Sequence, residues 1–113
     1  MMSDLSNTVF EKLQKDTPAL TEQQAARLLQ QIPDWEIKTR DGVRQLQRGY
    51  SFKNFVDAMA FANRITELAE QENHHPSIQV EWGKATVTWW THTIKGLHQN
   101  DFVMAARSDR AYH

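Results

Sequence analysis

The chain contains no cysteine. Disulfides and thiolate metal sites are thereby excluded, and the composition suits a reducing cytosol. It also lacks an excess of either charge, with thirteen Lys and Arg against fourteen Asp and Glu. A nucleic-acid-binding surface usually shows a basic excess or a basic stripe, and neither is present, so direct nucleic-acid binding is not expected. No stretch approaches the roughly 20 apolar residues that a membrane span requires. The opening MMSDLSNTVFEKLQKDTPAL has no basic start followed by an apolar run and does not read as a signal peptide. Repeats and low-complexity tracts are absent too. What remains is the expectation of a soluble, cytoplasmic protein whose 113 residues form one domain, long enough for one core without staples.

The chain divides at Thr17-Pro18. Residues 1–19 are polar and weakly patterned. Leu5, Val9, Phe10 and Leu13 stand at helical spacing, which fits either a short docking helix or a loose N-terminal arm. Residues 20–113 carry the domain. Thr21 with Gln24 has the capping-box arrangement, and Ala25, Leu28, Leu29 and Ile32 mark one apolar face before Pro33 stops the helix. From Trp35 to Phe52 the pattern changes to strands. Asp41-Gly42 is a hairpin turn signal, Leu46, Tyr50 and Phe52 share a side, and Gly49 suggests a bulge. Residues 53–72 predict a long helix with Phe55, Met59, Ala62, Ile65 and Ala69 along its apolar face, widened by Phe61 and Leu68.

SIQVEWGKATVTWWTH predicts a second hairpin turning at Gly83-Lys84. Ala85, Val87 and Trp89 fall on one face, and Thr86, Thr88, Trp90 and His92 on the other. Trp82, Trp89 and Trp90 are expected to pack the sheet. Asp101 to Arg107 reads as a last helix, with His98 at a cap position. The order α-β-β-α-β-β-α predicts an α+β fold, a four-stranded antiparallel sheet with helices packed on one face.

Glu70-Gln71-Glu72-Asn73-His74-His75-Pro76 is the unusual connection. All five histidines lie from His74 onward. The second hairpin folds the end carrying His92 back toward His74 and His75, and Asp101 opens the last helix within reach. Histidine exchanges protons near neutral pH, with a reference pKa of about 6.5, so two imidazoles beside a carboxylate can form an acid/base site. Two other readings stand beside it: an ordinary polar turn with solvated histidines, and a zinc site of three histidines and a carboxylate. Against the metal, adjacent residues on extended chain point in opposite directions and no His-x-x-x-His pair occurs. Glu70 reads either as a solvated last-turn carboxylate or as a functional group.

Glu70, the HHP triplet, an aromatic-containing hairpin with Trp82, the segment THTIKGL and Asp101 together resemble the pterin-4a-carbinolamine dehydratases. The likeness extends upstream through Trp35, the Arg40-Asp41 turn and YSFKNFVDAMAFANRI, covering roughly residues 20–108. VEWGKATVTWWTHTIKGLHQNDFVMAARSD is especially similar to bacterial members that accompany phenylalanine hydroxylase. Ile78 and Asn73 stand where vertebrate members carry tryptophan and aspartate. The resemblance implies loss of water from a 4a-hydroxytetrahydropterin, with His74 and His92 as the acid/base pair. It implies that His75, Glu70 and Asp101 bind the substrate, and that no metal or other cofactor is needed beyond the pterin. It further implies a homodimer or homotetramer, phenylalanine hydroxylase as a partner, and, as an alternative, a protein-interaction module serving as a dimerisation or transcriptional cofactor.

Overall fold

Thr21 starts the first helix through reciprocal bonds. Its Oγ1 accepts from the Gln24 N–H at 3.1 Å, while the Gln24 Oε1 accepts from the Thr21 N–H at 2.8 Å. This satisfies two donors that a helix start leaves orphaned. The computed structural model describes residues 4–14 and 16–113. Its elements are a 3₁₀ turn (Asp4–Asn7), α1 (Glu22–Leu29), β1 (Glu36–Arg40), β2 (Val43–Ser51), α2 (Phe55–Glu72), β3 (Ser77–Glu81), β4 (Lys84–Trp89), a second 3₁₀ turn (His92–Ile94) and α3 (Gln99–Tyr112). The strands form one antiparallel sheet in the order β1-β2-β4-β3, and the helices cover one face. The α-β-β-α-β-β-α order and the α+β class are those read from the sequence pattern.

The first hairpin turns at Asp41 and Gly42, both with positive φ (53° and 78°), as a two-residue turn between twisted strands requires. Gly49 marks no bulge. Its strand pairs with β4 without interruption from Leu46↔Trp89 to Ser51↔Lys84. A Cβ on Gly49 would lie 2.7 Å from Lys84 Cε, so the glycine makes room for a crossing side chain. The second hairpin turns one residue earlier than expected, at Trp82-Gly83, because Glu81 pairs with Lys84. Trp82 therefore sits on the turn and is 75% exposed instead of packing the sheet. Trp89 is fully buried and Trp90 half-buried.

The inner face of the sheet presents Leu46, Tyr50, Ala85, Val87 and Trp89, all buried. Helix α2 meets them with Ala58, Phe61, Ala62, Ile65 and Ala69, and α3 with the run Phe102–Ala106. The buried stripe of α2 differs from the expected one at its start. Phe61 takes the core position by packing on Tyr50, Phe52 and Tyr112 at centroid distances of 4.5, 5.3 and 5.8 Å. That orientation leaves Phe55, Val56 and Met59 exposed at 46%, 74% and 39%.

Helix α3 runs past the expected Arg107 to Tyr112, and its far end is tied to the sheet. One oxygen of Asp109 accepts from Trp35 Nε1 (3.0 Å), Arg48 Nη1 (2.6 Å) and the Tyr50 hydroxyl (2.6 Å). Burial, and then the Asp109 charge, push the Tyr50 hydroxyl far above the usual tyrosine range, so it stays a neutral donor.

Asp109→Ala leaves three donors without their acceptor and should cost about 2–3 kcal/mol in urea unfolding. The raised folded pKa also fixes a sign. Stability from Tyr50 is complete below the unfolded tyrosine value of about 10 and declines as pH rises beyond it, so the alkaline loss should be smaller in Tyr50→Phe.

Candidate active site

The end of α2 separates the two adjacent histidines. Asn73 closes the helix in the left-handed conformation (φ 50°, ψ 43°), a region that asparagine tolerates better than most residues, and the His74 N–H returns to the Ala69 carbonyl at 3.0 Å. The reversal sends His74 inward, 8% exposed, while the side chain of His75 remains more than half exposed.

His74 is held from several directions. Its ring stacks on Trp89 (centroids 5.7 Å, planes 5° apart), and the Phe10 ring lies 5.5 Å away. Its Nε2 is 2.6 Å from Asp101 Oδ1. A carboxylate in that place fixes Nε2 as the protonated nitrogen and leaves Nδ1 for a ligand.

Asp101 is fully buried at the third position of α3. Its second oxygen accepts from the Thr91 hydroxyl (2.8 Å) and the His98 N–H (2.9 Å). The free N–H groups at a helix start favour a carboxylate there. His98 caps the helix in turn: its Nδ1 accepts from the Asn100 N–H at 3.0 Å, which requires the Nε2–H tautomer.

His92 comes from a short loop. Thr91 and Gly96 pair across it, with N···O distances of 2.9 and 3.4 Å, and Lys95 (φ 50°) reverses the chain. The His92 ring rests on Trp90 at 4.5 Å, and its Nε2 donates to the His75 carbonyl at 3.3 Å. The Nδ1 side is thereby left for a ligand. His75 Nε2 lies 2.6 Å from Glu70 Oε2 at the outer rim.

His74, His75 and His92 line one cavity of about 630 Å³, together with Asn73, Thr91 and Thr93. The structure thus brings the three histidines to one place. Asp101 lies behind His74 and does not reach the cavity wall, and Glu70 reaches it only through His75. The residues that sequence reasoning missed are Thr91, which shares the Asp101 carboxylate, and Phe10–Leu13 of the N-terminal arm, which line the same cavity. Thr91 adjoins His92 in the quoted THTIKGL segment, so its neighbour was a usable signal. No local pattern connects Phe10 with His74. Among the described residues, no three His, Asp or Glu side chains gather as metal ligands, and no helix is long and apolar enough to cross a membrane.

A sheet capped by helices thus presents the imidazoles of His74 and His92 to one cavity. The family model for pterin 4 alpha carbinolamine dehydratase matches residues 18–111, and the chain belongs to that family. Family membership supports a dehydratase, a lyase acting on a pterin. The fold is similar to that of a transcriptional coactivator/pterin dehydratase from Brucella melitensis. The two share 27% identity with a TM-score of 0.75, covering 84% of this chain and 99% of that one. A pterin dehydratase-like protein identified as a RuBisCO assembly factor in the alpha-carboxysome shares the fold at 20% identity and a TM-score of 0.59, over 70% of this chain and 89% of that one.

Asp101→Ala removes the acceptor of three buried donors at once. It should lower unfolding stability by about 3 kcal/mol. In ¹⁵N NMR of the His74 ring, the single Nε2–H tautomer should give way to a mixture.

Proposed function

We propose that the protein dehydrates a 4a-hydroxytetrahydropterin to the quinonoid dihydropterin. The observation that carries this reading is the shared cavity of His74 and His92, each with one ring nitrogen committed to a protein oxygen and the other left for a ligand. In the reaction the C4a–OH bond breaks, the N5 lone pair forms the new C=N bond, and N5 loses its proton. One group must accept that proton and another must deliver one to the departing hydroxyl, so that water leaves. The sum is an elimination without change of oxidation state, and it needs no redox partner.

His74 is assigned as the base at N5. Accepting the proton at Nδ1 makes it an imidazolium, and the buried Asp101 carboxylate on its far nitrogen is placed to hold that charge, as in other His–Asp pairs. His92 is assigned as the acid for the leaving hydroxyl: as an imidazolium it keeps the Nε2–H on the His75 carbonyl and delivers the Nδ1 proton, which solvent restores to the exposed ring after each cycle. His75, braced by Glu70, orients the pterin at the rim. Asp101 acts through His74 as a positioning residue.

A homo-oligomer, dimer or tetramer, is part of the proposal. Phe55, Val56 and Met59 form an exposed apolar stripe at the start of α2, the kind of surface that a second copy covers. The same stripe is the observation favouring the second reading, a protein-interaction module, and the two activities are separable because the stripe holds none of the cavity residues. The substrate must come from a pterin-dependent hydroxylase, of which phenylalanine hydroxylase is the partner proposed, and the site of action proposed is the cytoplasm.

Stopped-flow ultraviolet absorbance of enzymatically generated 4a-hydroxytetrahydropterin tests the chemistry. His74→Ala and His92→Ala should each slow dehydration on the order of 10²–10⁴-fold. Unchanged rates in both, with folding intact, would sink the assignment. Light scattering tests the assembly: the native chain should exceed monomer mass at micromolar concentration, and Val56→Glu should lower that mass while leaving the catalytic rate in place.

A further inference from the structure

The family model begins at residue 18, and the Brucella melitensis structure is matched over 99% of its own length by only 84% of this chain. The segment before residue 18 lies outside the part of the chain that the family model matches. It is nevertheless built into this molecule. Leu5 enters the core. Asn100 grips the arm at both polar groups of one peptide position, accepting from the Glu11 N–H at 2.8 Å and donating to the Glu11 carbonyl at 2.7 Å. Arg107 donates to the carbonyls of Ser6 (3.2 Å) and Thr8 (2.9 Å), and a further nitrogen binds Glu72 at 2.6 Å. Asn100 and Arg107 belong to α3, the same helix that supplies Asp101. These anchors lay Phe10, Glu11, Lys12 and Leu13 along the cavity that holds the histidines.

The chemistry of the pterin says what that wall would meet, and this step rests on the dehydratase reading with His74 at N5. In the pterin ring N5 is bonded to two carbons, C4a and C6. C4a carries the departing hydroxyl and faces the acid. C6 carries the substituent by which natural pterins differ. With His74 at N5, C6 is one bond from the atom that His74 serves, and Phe10, 5.5 Å from the His74 ring, lines the same cavity as that ring.

We propose that the N-terminal arm is the specificity wall of the site, with Phe10 and Leu13 packing against the C6 substituent. The charged side chains around them define the class accepted. One lysine, Lys12, stands with Glu11 and Glu72 on the lining, and Glu72 is already paired with Arg107. Among the described residues that balance offers no basic patch to an anionic tail, which suits an uncharged substituent.

The test compares two pterins that differ only at C6, one bearing a methyl group and one a dihydroxypropyl chain, in full-length native protein, Phe10→Ala, Leu13→Ala and Phe10→Leu. For each, KM and kcat of dehydration are measured, together with the binding of the matching non-reacting 7,8-dihydropterins by NMR. The native protein should favour the dihydroxypropyl compound. Leu13→Ala should reduce that preference about tenfold through KM, with kcat nearly unchanged, the scale of a lost apolar contact. Phe10→Ala should reduce it likewise through KM, with any fall in kcat, from the lost packing on His74, equal for both substrates. Phe10→Leu should restore most of it. Equal preference in all four proteins would overturn the proposal, and so would a loss confined to kcat. If the native protein binds the dihydropterins with this preference but dehydrates neither substrate, the chemical assignment falls while the wall stands. If it binds neither, both fall.

Discussion

Much of this molecule is organised around the Asp101 carboxylate. Among the described residues no lysine or arginine forms an ion pair with it, and a buried carboxylate is costly unless the charge is met by well-placed donors. Three donors from three places meet it: the His74 ring after α2, the Thr91 hydroxyl after β4, and the His98 N–H at the head of α3. One oxygen pair thus joins a helix end, a strand end and a helix start. The imidazole proposed as the base is held by the same group that helps start the last helix, so fold and candidate site share a single constraint. Loss of that carboxylate would be felt as misfolding and as misplaced chemistry together.

Helix α3 carries a second carboxylate, Asp109, about two turns farther on. It receives Trp35, Arg48 and Tyr50 from the other half of the sheet. The helix is therefore fixed at both ends by buried or half-buried hydrogen bonds, with Phe102–Ala106 packed between them. Apolar contact brings α3 to the sheet without fixing its slide or rotation, whereas directional bonds at two separated points set both. That registration decides where Asp101, Asn100 and Arg107 arrive. The cavity owes its shape to interactions at a distance from any ligand.

Features with a short sequence period were legible before the structure. The Thr21/Gln24 cap, the Asp41-Gly42 turn and the Ala85/Val87/Trp89 alternation each depend on residues within a few positions of one another. His74, His75 and His92 were linked by one inference about antiparallel geometry, and the structure brings them to one cavity. What escaped has a common cause. Trp82 left the sheet because turn placement shifted by one residue, which moves a side chain from a paired strand to a loop. Phe55 and Met59 lost the core to Phe61, a choice made by aromatic partners on β2 and α3. The contact between Phe10 and His74 spans most of the chain, and nothing local in either segment encodes it. The burial of Asp101 was hidden for a similar reason, since its donors come from three separate elements.

The arm is fastened in a way that has an evolutionary consequence. Asn100 bonds the backbone of Glu11, and Arg107 bonds the backbone carbonyls of Ser6 and Thr8. These grips read the main chain, which every residue other than proline presents alike. Side chains at positions 10 to 13 are thus free to drift without loosening those bonds, while the histidines and Asp101 beneath them stay fixed. Selection can rewrite the face that the arm shows to the cavity while leaving the histidine cluster untouched, a separation of display from support more familiar from antibody loops than from a domain of this size.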